Sequence, residues 1–456
     1  MALASVHETW SSRSAFLLAA VGAAVGLGNI WRFPFIAGQN GGGAFVLVYV
    51  GFVLLLAIPI VTAELAMGRR GQQSPVVTMS NLARENGRSQ GWQVIGWLSM
   101  VIPLLGLTYY SVVAGWAIDF VFQAAAGRFA GLDGAKSSAF FGELLASPWR
   151  MIFWHSVFVG VTVLVVARGV RKGLERSVKV MMPGLFVILL LLVGYAMVEG
   201  DFAAGINFLF AADFSKLTVP VVLMALGQSL FSVAVGVGAM ITYGAYLPKT
   251  VSLPAAAAVI GVVDSLVAIL AGLAIFPMVL RYGLDPAEGP GLIFVTLPVA
   301  FGQMPGGAIV GVLFFVLLTF AALTSSIGML EPAVSWLEER RGLKRPVMAL
   351  LAGLLSWLVG LSIALSFNIW GDIRPLGVFE FFADKTIFGV MDFFVANVLL
   401  PLNALLIAVF AGWVMSRKST LQELAWRDGF RYRYWRFILR FVAPVAVAII
   451  FFSSFQ

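Results

Sequence analysis

Two carboxylates lie deep inside apolar stretches of this chain, where an ionisable group is costly and usually functional. Asp264 falls about twelve residues into its stretch, near mid-membrane for a helix rising about 1.5 Å per residue. It is a candidate anionic ligand for a bound cation; the alternative is a structural aspartate that carries a proton or pairs with Ser or Thr. Glu64, within Thr62-Ala63-Glu64-Leu65-Ala66, is a candidate structural support that accepts N–H groups left free by an unwound neighbour. Its alternative is a helix-end glutamate near the headgroups. Ala321-Ala322-Leu323-Thr324-Ser325-Ser326 puts hydroxyls at mid-depth of another stretch. An isolated hydroxyl in a helix most often bonds back to the i−4 carbonyl. Two adjacent ones opposite unwound carbonyls would supply the oxygen ligands that a hard cation such as Na+ wants. Asp119 and His155 have nothing nearby that marks a site and read as structural.

The unwound carbonyls have a source. Ala24-Val25-Gly26-Leu27-Gly28 and Ala234-Val235-Gly236-Val237-Gly238 repeat one small-residue pattern, each inside a segment long enough to cross a bilayer. Helices broken at such runs free carbonyls for a cation and N–H groups for a carboxylate. Gly-interrupted segments at matching positions of two halves point to the binding site of a carrier, a rule drawn from carriers of this kind. Two charge pairs would flank that site. Arg32 and Asp392 fall at one end of their segments, and His7 and Glu339 at the other.

The elements that hold these residues are membrane spans. Of 456 residues, 60% are hydrophobic and 11% charged, against about 25% charged in a soluble domain. Mean hydropathy is +0.96. With no cysteine, disulfides and thiolate metal sites are excluded, and two histidines exclude a His-rich metal site. Eleven spans are expected, over 14–36, 43–68, 91–123, 150–167, 177–198, 218–246, 252–280, 308–337, 346–366, 388–415 and 437–453. Alternate loops are rich in Lys and Arg, as in Arg168, Arg171, Lys172, Arg176 and Lys179. The net charge of +8 is therefore read as cytoplasmic loop charge and not as a nucleic-acid footprint. The positive-inside rule puts the N-terminus in the cytoplasm and, with eleven spans, the C-terminus outside. Met1 to Ser12 is polar and leads into a full span, so no cleaved signal peptide is expected. The proline-bounded stretch 285–307 is expected as an extracellular helix that dips toward the membrane. The whole chain reads as one transmembrane domain of a multi-pass cytoplasmic-membrane protein.

Gly22-Ala23-Ala24-Val25-Gly26-Leu27-Gly28-Asn29-Ile30-Trp31-Arg32-Phe33-Pro34 resembles the first-span signature of neurotransmitter:sodium symporters. The resemblance continues through Asn40-Gly41-Gly42-Gly43, Glu64-Leu65-Ala66-Met67-Gly68-Arg69, Tyr109-Tyr110, Gly227-Gln228-Ser229-Leu230-Phe231, Leu323-Thr324-Ser325-Ser326 and Met391-Asp392-Phe393. It covers nearly the whole chain in order, and it is greatest to the bacterial branch that carries hydrophobic L-amino acids. It implies an all-α, leucine-transporter-like five-plus-five inverted repeat with broken helices 1 and 6. Repeat one would span 14–198 and repeat two 218–415, with an extra helix at 437–453. It also implies Na+-coupled alternating access.

Carried over by resemblance, a first sodium is held by the Ala24 carbonyl, Asn29, Ser232 and Asp264 together with the substrate carboxylate. A second is held by carbonyls of Gly22, Val25 and Ala321 with the hydroxyls of Thr324 and Ser325. Tyr110 meets the substrate carboxylate and Phe231 closes over it. The rest of the implied substrate pocket is Ala23, Gly26, Gly106, Ala234, Val237 and Met329 with Ala24, Ser232 and Ser325. Arg32 with Asp392, helped by Gln228, forms the outer gate.

Four departures from the common family pattern stand out. Ser232 stands where many bacterial relatives have Thr, which keeps a hydroxyl. Asp264 stands where much of the family has Asn; its carboxylate supplies the negative charge that chloride supplies in other members, so no chloride requirement is expected, and its protonation on sodium release would give proton countertransport. His7, facing Glu339, replaces the arginine of the inner gate and makes that gate weak or pH-sensitive. Gly106, Ala234 and Val237, with Met329 opposite, leave a roomy side-chain pocket. Gly26 stands where amine carriers of the family have aspartate, so the substrate brings its own carboxylate. The substrate implied is an α-amino acid with an apolar side chain of the size of Leu, Met, Phe, Tyr or Trp. A carrier of betaine- or GABA-like zwitterions and a non-transporting amino-acid sensor are the competing readings. No nucleophile–base constellation or metal cluster supports an enzyme.

Overall fold

A computed structural model describes residues 8–287, 291–342 and 344–455. Among them, nine of the eleven expected spans are single long apolar helices, and the remaining two are the ones that break. The first consists of α1 (Arg13–Ala24) and α2 (Gly28–Gln39), bent by 51°. Then come α3 (Gly43–Gly71), α4 (Gln90–Ala125), α5 (Pro148–Ala167) and α6 (Val170–Glu199). The segment 218–246 is α7 (Val219–Ser232) followed by α8 (Ala239–Ala245). The remaining spans are α9 (Leu253–Arg281), α10 (Gly307–Arg340), α11 (Arg345–Leu365), α12 (Ile387–Val414) and α13 (Phe430–Ser453), with shorter helices between spans left unlabelled. The Arg32 end of the bundle is called outer below and the Glu339 end inner.

Burial separates the core from its jacket. In α4, 72% of the apolar window is buried, against 22% in α13. α4 and α10 form the central pair, and α1 packs on α9 and α10. Leu190, Leu191, Leu350 and Leu354 stand exposed on the exterior, as side chains facing lipid do. Close approach within the core needs small residues: a Cβ on Gly68 of α3 would lie 2.0 Å from the Ile241 carbonyl oxygen of α8.

The breaks follow from local chemistry. Val25 leaves the helix with ψ 110°. Between α7 and α8, Ala234, Gly236 and Gly238 take φ of +56°, +80° and +91°, a region that favours glycine. At the outer end, a short helix, Leu292–Gln303, occupies part of the stretch 285–307. Phe294 is buried within it, stacked on Phe141 at 5.2 Å and edge-on to Trp116 and Phe120 at 5.7 and 5.3 Å. Asp119 is paired with Arg150 at 2.6 Å and takes the Trp154 indole N–H at 2.7 Å. His155 lies between the Ser111 hydroxyl and the Trp357 carbonyl at 3.0 and 3.2 Å. Both residues tie helices together.

Candidate functional site

The break between α1 and α2 faces three side chains. The Gly26 N–H donates to Asn29 Oδ1 at 3.0 Å, and the Leu27 N–H to the Tyr110 hydroxyl at 3.2 Å. The Ser325 hydroxyl donates to the Val25 carbonyl at 3.0 Å and to that of Gly22 at 3.4 Å. Beside it the Thr324 hydroxyl donates to the carbonyls of Ala321 and Phe320 at 3.0 and 3.1 Å. The Ser325 set and the Thr324 set adjoin, and a Cβ on Gly22 would lie 3.2 Å from Thr324 Cβ. Five uncharged oxygens with no nitrogen ligand suit a hard monovalent cation.

A second group lies on the other flank of the break. Asn29 Nδ2 donates to the Ser232 hydroxyl at 3.0 Å, the Asp264 carboxylate at 2.8 Å and the Asp264 carbonyl at 3.0 Å. The Ser232 hydroxyl donates to Asp264 Oδ2 at 2.6 Å. Asn29, Ser232 and Asp264 are all buried. Tyr49 also joins this group, donating to Ser232 at 3.1 Å. The sequence reading missed Tyr49; its signal was a tyrosine in the middle of an apolar span.

Between the two groups lies a cavity of about 60 Å³. Its lining includes every implied substrate position: Ala23, Ala24, Gly26, Gly106, Tyr110, Phe231, Ser232, Ala234, Val237, Ser325 and Met329. The structure adds Leu27, Gly28, Ile102, Pro103, Tyr109, Val395 and Leu400, of which only Tyr109 has a polar side-chain atom. A Cβ on Gly106 would meet only Val395, at 3.9 Å, so the wall there is open. No Asp, Glu, Lys or Arg lines this cavity.

Outward of it, Phe231 and Tyr109 also line a cavity of about 410 Å³ that includes Arg32 and Asp392. Arg32 and Asp392 share this wall without an ion pair within 4 Å; the guanidinium lies over the Phe231 ring, 4.2 Å from its centroid. Gln228 donates to the Gly28 carbonyl at 3.1 Å, across the break. At the inner end, Glu339 accepts from the Ser74 N–H at 2.7 Å and from the Ser74 hydroxyl. His7 lies outside the described residues. The sequence reading also missed Glu331, fully buried on α10, which pairs with Arg345 and accepts from the Tyr246 hydroxyl at 2.7 Å. Its signal was a glutamate inside span 308–337.

The second break has its own fastening. Glu64 accepts the Gly236 N–H at 2.7 Å, and Asn403 donates to the Gly236 carbonyl at 2.7 Å.

A multi-helix membrane bundle with two broken helices, oxygen groups beside one break and a mainly apolar cavity between them is the architecture of an ion-coupled carrier. The profile of the sodium:neurotransmitter symporter family matches residues 7–132 and 142–456. YhdH of Bacillus subtilis, a sodium-dependent transporter, is 39% identical over 97% of both chains. A sodium-dependent transporter of Haemophilus influenzae is 32% identical over 98% of both. The crystal structure of MhsT in complex with L-phenylalanine superposes with a TM-score of 0.89 at 40% identity, covering 98% of this chain and 100% of that one. The chain belongs to the sodium:neurotransmitter symporter family and is a sodium-dependent, multi-pass membrane transporter with the leucine-transporter-like fold.

Proposed function

We propose that the protein couples entry of two Na+ ions to uptake of a hydrophobic L-α-amino acid across the cytoplasmic membrane, without chloride. The observation that carries this reading is the central cavity: carbon-lined, free of charged side chains, and bordered by Tyr110, Ser325 and the Gly26 break. Gly26 brings no carboxylate, so the substrate's own carboxylate meets the first ion. It would accept a hydrogen bond from the Tyr110 hydroxyl and compete for the Leu27 N–H that Tyr110 now accepts. Open space beside Gly106 favours a long or aromatic side chain, in keeping with the L-phenylalanine bound by MhsT. Asn29, Ser232 and Asp264, with the Ala24 carbonyl, would hold the first ion; Gly22, Val25, Ala321, Thr324 and Ser325 would hold the second. Asp264 supplies the fixed negative charge at the first site. Arg32, Asp392 and Phe231 would close the outer path, and the inner end would face the cytoplasm with the N-terminus.

The test is uptake of radiolabelled leucine and phenylalanine into proteoliposomes under an inward Na+ gradient, with K+ replacing Na+, and with gluconate replacing Cl−. The expected result is uptake that needs Na+ and ignores Cl−. Loss of uptake in gluconate would overturn the role given to Asp264. Na+-dependent uptake of betaine or GABA, with neither amino acid competing, would overturn the substrate class. Binding without uptake would make the protein a sensor.

A further inference from the structure

Between Arg417 and Arg440, where α12 hands over to α13, the chain carries seven Lys and Arg against Glu423 and Asp428. Both carboxylates are engaged. Glu423 pairs with Arg69 at 2.9 Å and Arg70 at 3.4 Å; Asp428 pairs with Arg417 and, at 3.7 Å, with Arg433. Among the described residues, no carboxylate lies within 4 Å of Arg436 or Arg440. These two arginines are instead fixed on the carbonyls that end α12, which have no helical partner. Both Nε atoms donate to the Gly412 carbonyl, at 3.1 and 2.7 Å, and Arg436 Nη2 donates to that of Met415 at 3.0 Å. A Cβ on Gly412 would lie 3.0 Å from Arg440 Cγ, so the glycine is what lets α13 come this close.

The anchoring uses Nε of Arg440 and leaves its two Nη groups for another acceptor. With Arg417, Arg433 and Arg436 it lines a cavity of about 460 Å³ bounded by Tyr432 and Phe441. The exterior at this level is aromatic: Trp413, Phe437 and Phe441 are each about half exposed, at 50%, 53% and 47%. Trp413 is of the amphipathic type enriched at the headgroup level of a bilayer, and Phe437 and Phe441 extend an apolar face beside it. Guanidinium groups keep their charge and grip phosphate oxygens in pairs. Loop arginines that only set topology need no fixed geometry, whereas here two are immobilised on backbone at the membrane edge.

We propose that this pocket is a binding site for the phosphodiester headgroup of an anionic phospholipid, with its acyl chains along Trp413, Phe437 and Phe441. The site lies at the inner end and is separate from the transport path.

Native mass spectrometry of the detergent-purified full chain tests it, with phosphatidylglycerol, phosphatidylcholine and inorganic phosphate as probes. Wild type should retain phosphatidylglycerol in preference to phosphatidylcholine, and millimolar phosphate should not displace it. Arg433→Gln/Arg440→Gln should bind phosphatidylglycerol about 30-fold more weakly, the loss expected from removing two interfacial charges. The double variant also loses the Arg440 bond to the Gly412 carbonyl, so its melting temperature in phosphatidylcholine should fall, whereas that of Arg433→Gln alone should match wild type. Arg433 is exposed and makes no packing contact with the core, so Arg433→Gln alone, at about fivefold, decides the matter if the double variant does not fold. Arg281→Gln at the outer end should change nothing. Unchanged lipid retention in the variants, equal retention of the two lipids, displacement by free phosphate, or an equal drop in Arg281→Gln would each overturn the proposal.

Discussion

Gly26→Ala should weaken substrate binding by about 5- to 150-fold while leaving a folded protein. A Cβ at this position would lie 2.5 Å from the Ser325 hydroxyl oxygen and 2.8 Å from that of Tyr110. Ordinary contact begins at 3.4 Å, so Ser325 would have to retreat by about 0.9 Å and Tyr110 by about 0.6 Å. Ser325 can retreat only by giving up the Val25 and Gly22 carbonyls, and Tyr110 only by giving up the Leu27 N–H. Overpacking of this kind costs about 1–3 kcal/mol. Taken from the binding free energy, that is a loss of about 5- to 150-fold in affinity. The assay is equilibrium binding of labelled L-phenylalanine across a Na+ titration, with a melting curve alongside. A second variant sharpens it. Ser325→Ala removes the nearest clashing atom, so Gly26→Ala/Ser325→Ala should destabilise less than the sum of the single changes. Its Na+ dependence should stay impaired, because the hydroxyl is gone. Gly26→Ala binding within about twofold of wild type, or strict additivity in melting temperature, would refute the close approach at this break as what seats the ligand.

Three further outcomes follow from the same geometry. Asp264→Asn removes the charge that Ser232 and Asn29 hold in place, and Na+-driven uptake should then fall at least about tenfold when gluconate replaces Cl−, a contrast absent in wild type. Glu64→Ala leaves the Gly236 N–H buried without an acceptor, which costs about 1–3 kcal/mol, read as a lowered melting temperature, and Glu64→Gln should lose less because it keeps an acceptor oxygen. Gly106→Leu fills the open wall beside Val395, and competition assays should show preference moving from phenylalanine toward alanine and valine by about 10- to 200-fold.

Much of this fold could be read before any coordinate, because its strongest signals are local. Apolar length marks the spans, and the runs at Gly26 and Gly236 mark the two that break. The cavity lining was legible through family resemblance, which fixes positions that spacing alone does not. What stayed hidden depends on neighbours far apart in the chain. Tyr49 reaches Ser232 across 183 residues, and Asn403 reaches Gly236 across 167; no periodicity announces either. Arg32 and Asp392 were placed at one end by their positions, but the guanidinium rests on Phe231, since a ring face at 4.2 Å is a partner that charge counting does not see. For Thr324 the ordinary back-bond of a helical hydroxyl is present. Its hydroxyl bonds back to Phe320, four residues earlier, and also to Ala321 in the proposed ion group.

The two breaks differ in who holds them. Around Gly26, the free backbone groups are satisfied by Asn29, Tyr110 and Ser325, the side chains to which ions and substrate are assigned. Around Gly236 they are satisfied by Glu64 and Asn403, which have no assigned cargo. Loading and unloading must therefore remake the fastenings of the first break and can leave those of the second untouched. One break works as a latch that the cargo itself turns, the other as a bearing that stays greased and bolted while the latch moves. Hydrogen exchange would register the division at single amides: Gly26 and Leu27 should change protection with Na+ and substrate, and Gly236 should not.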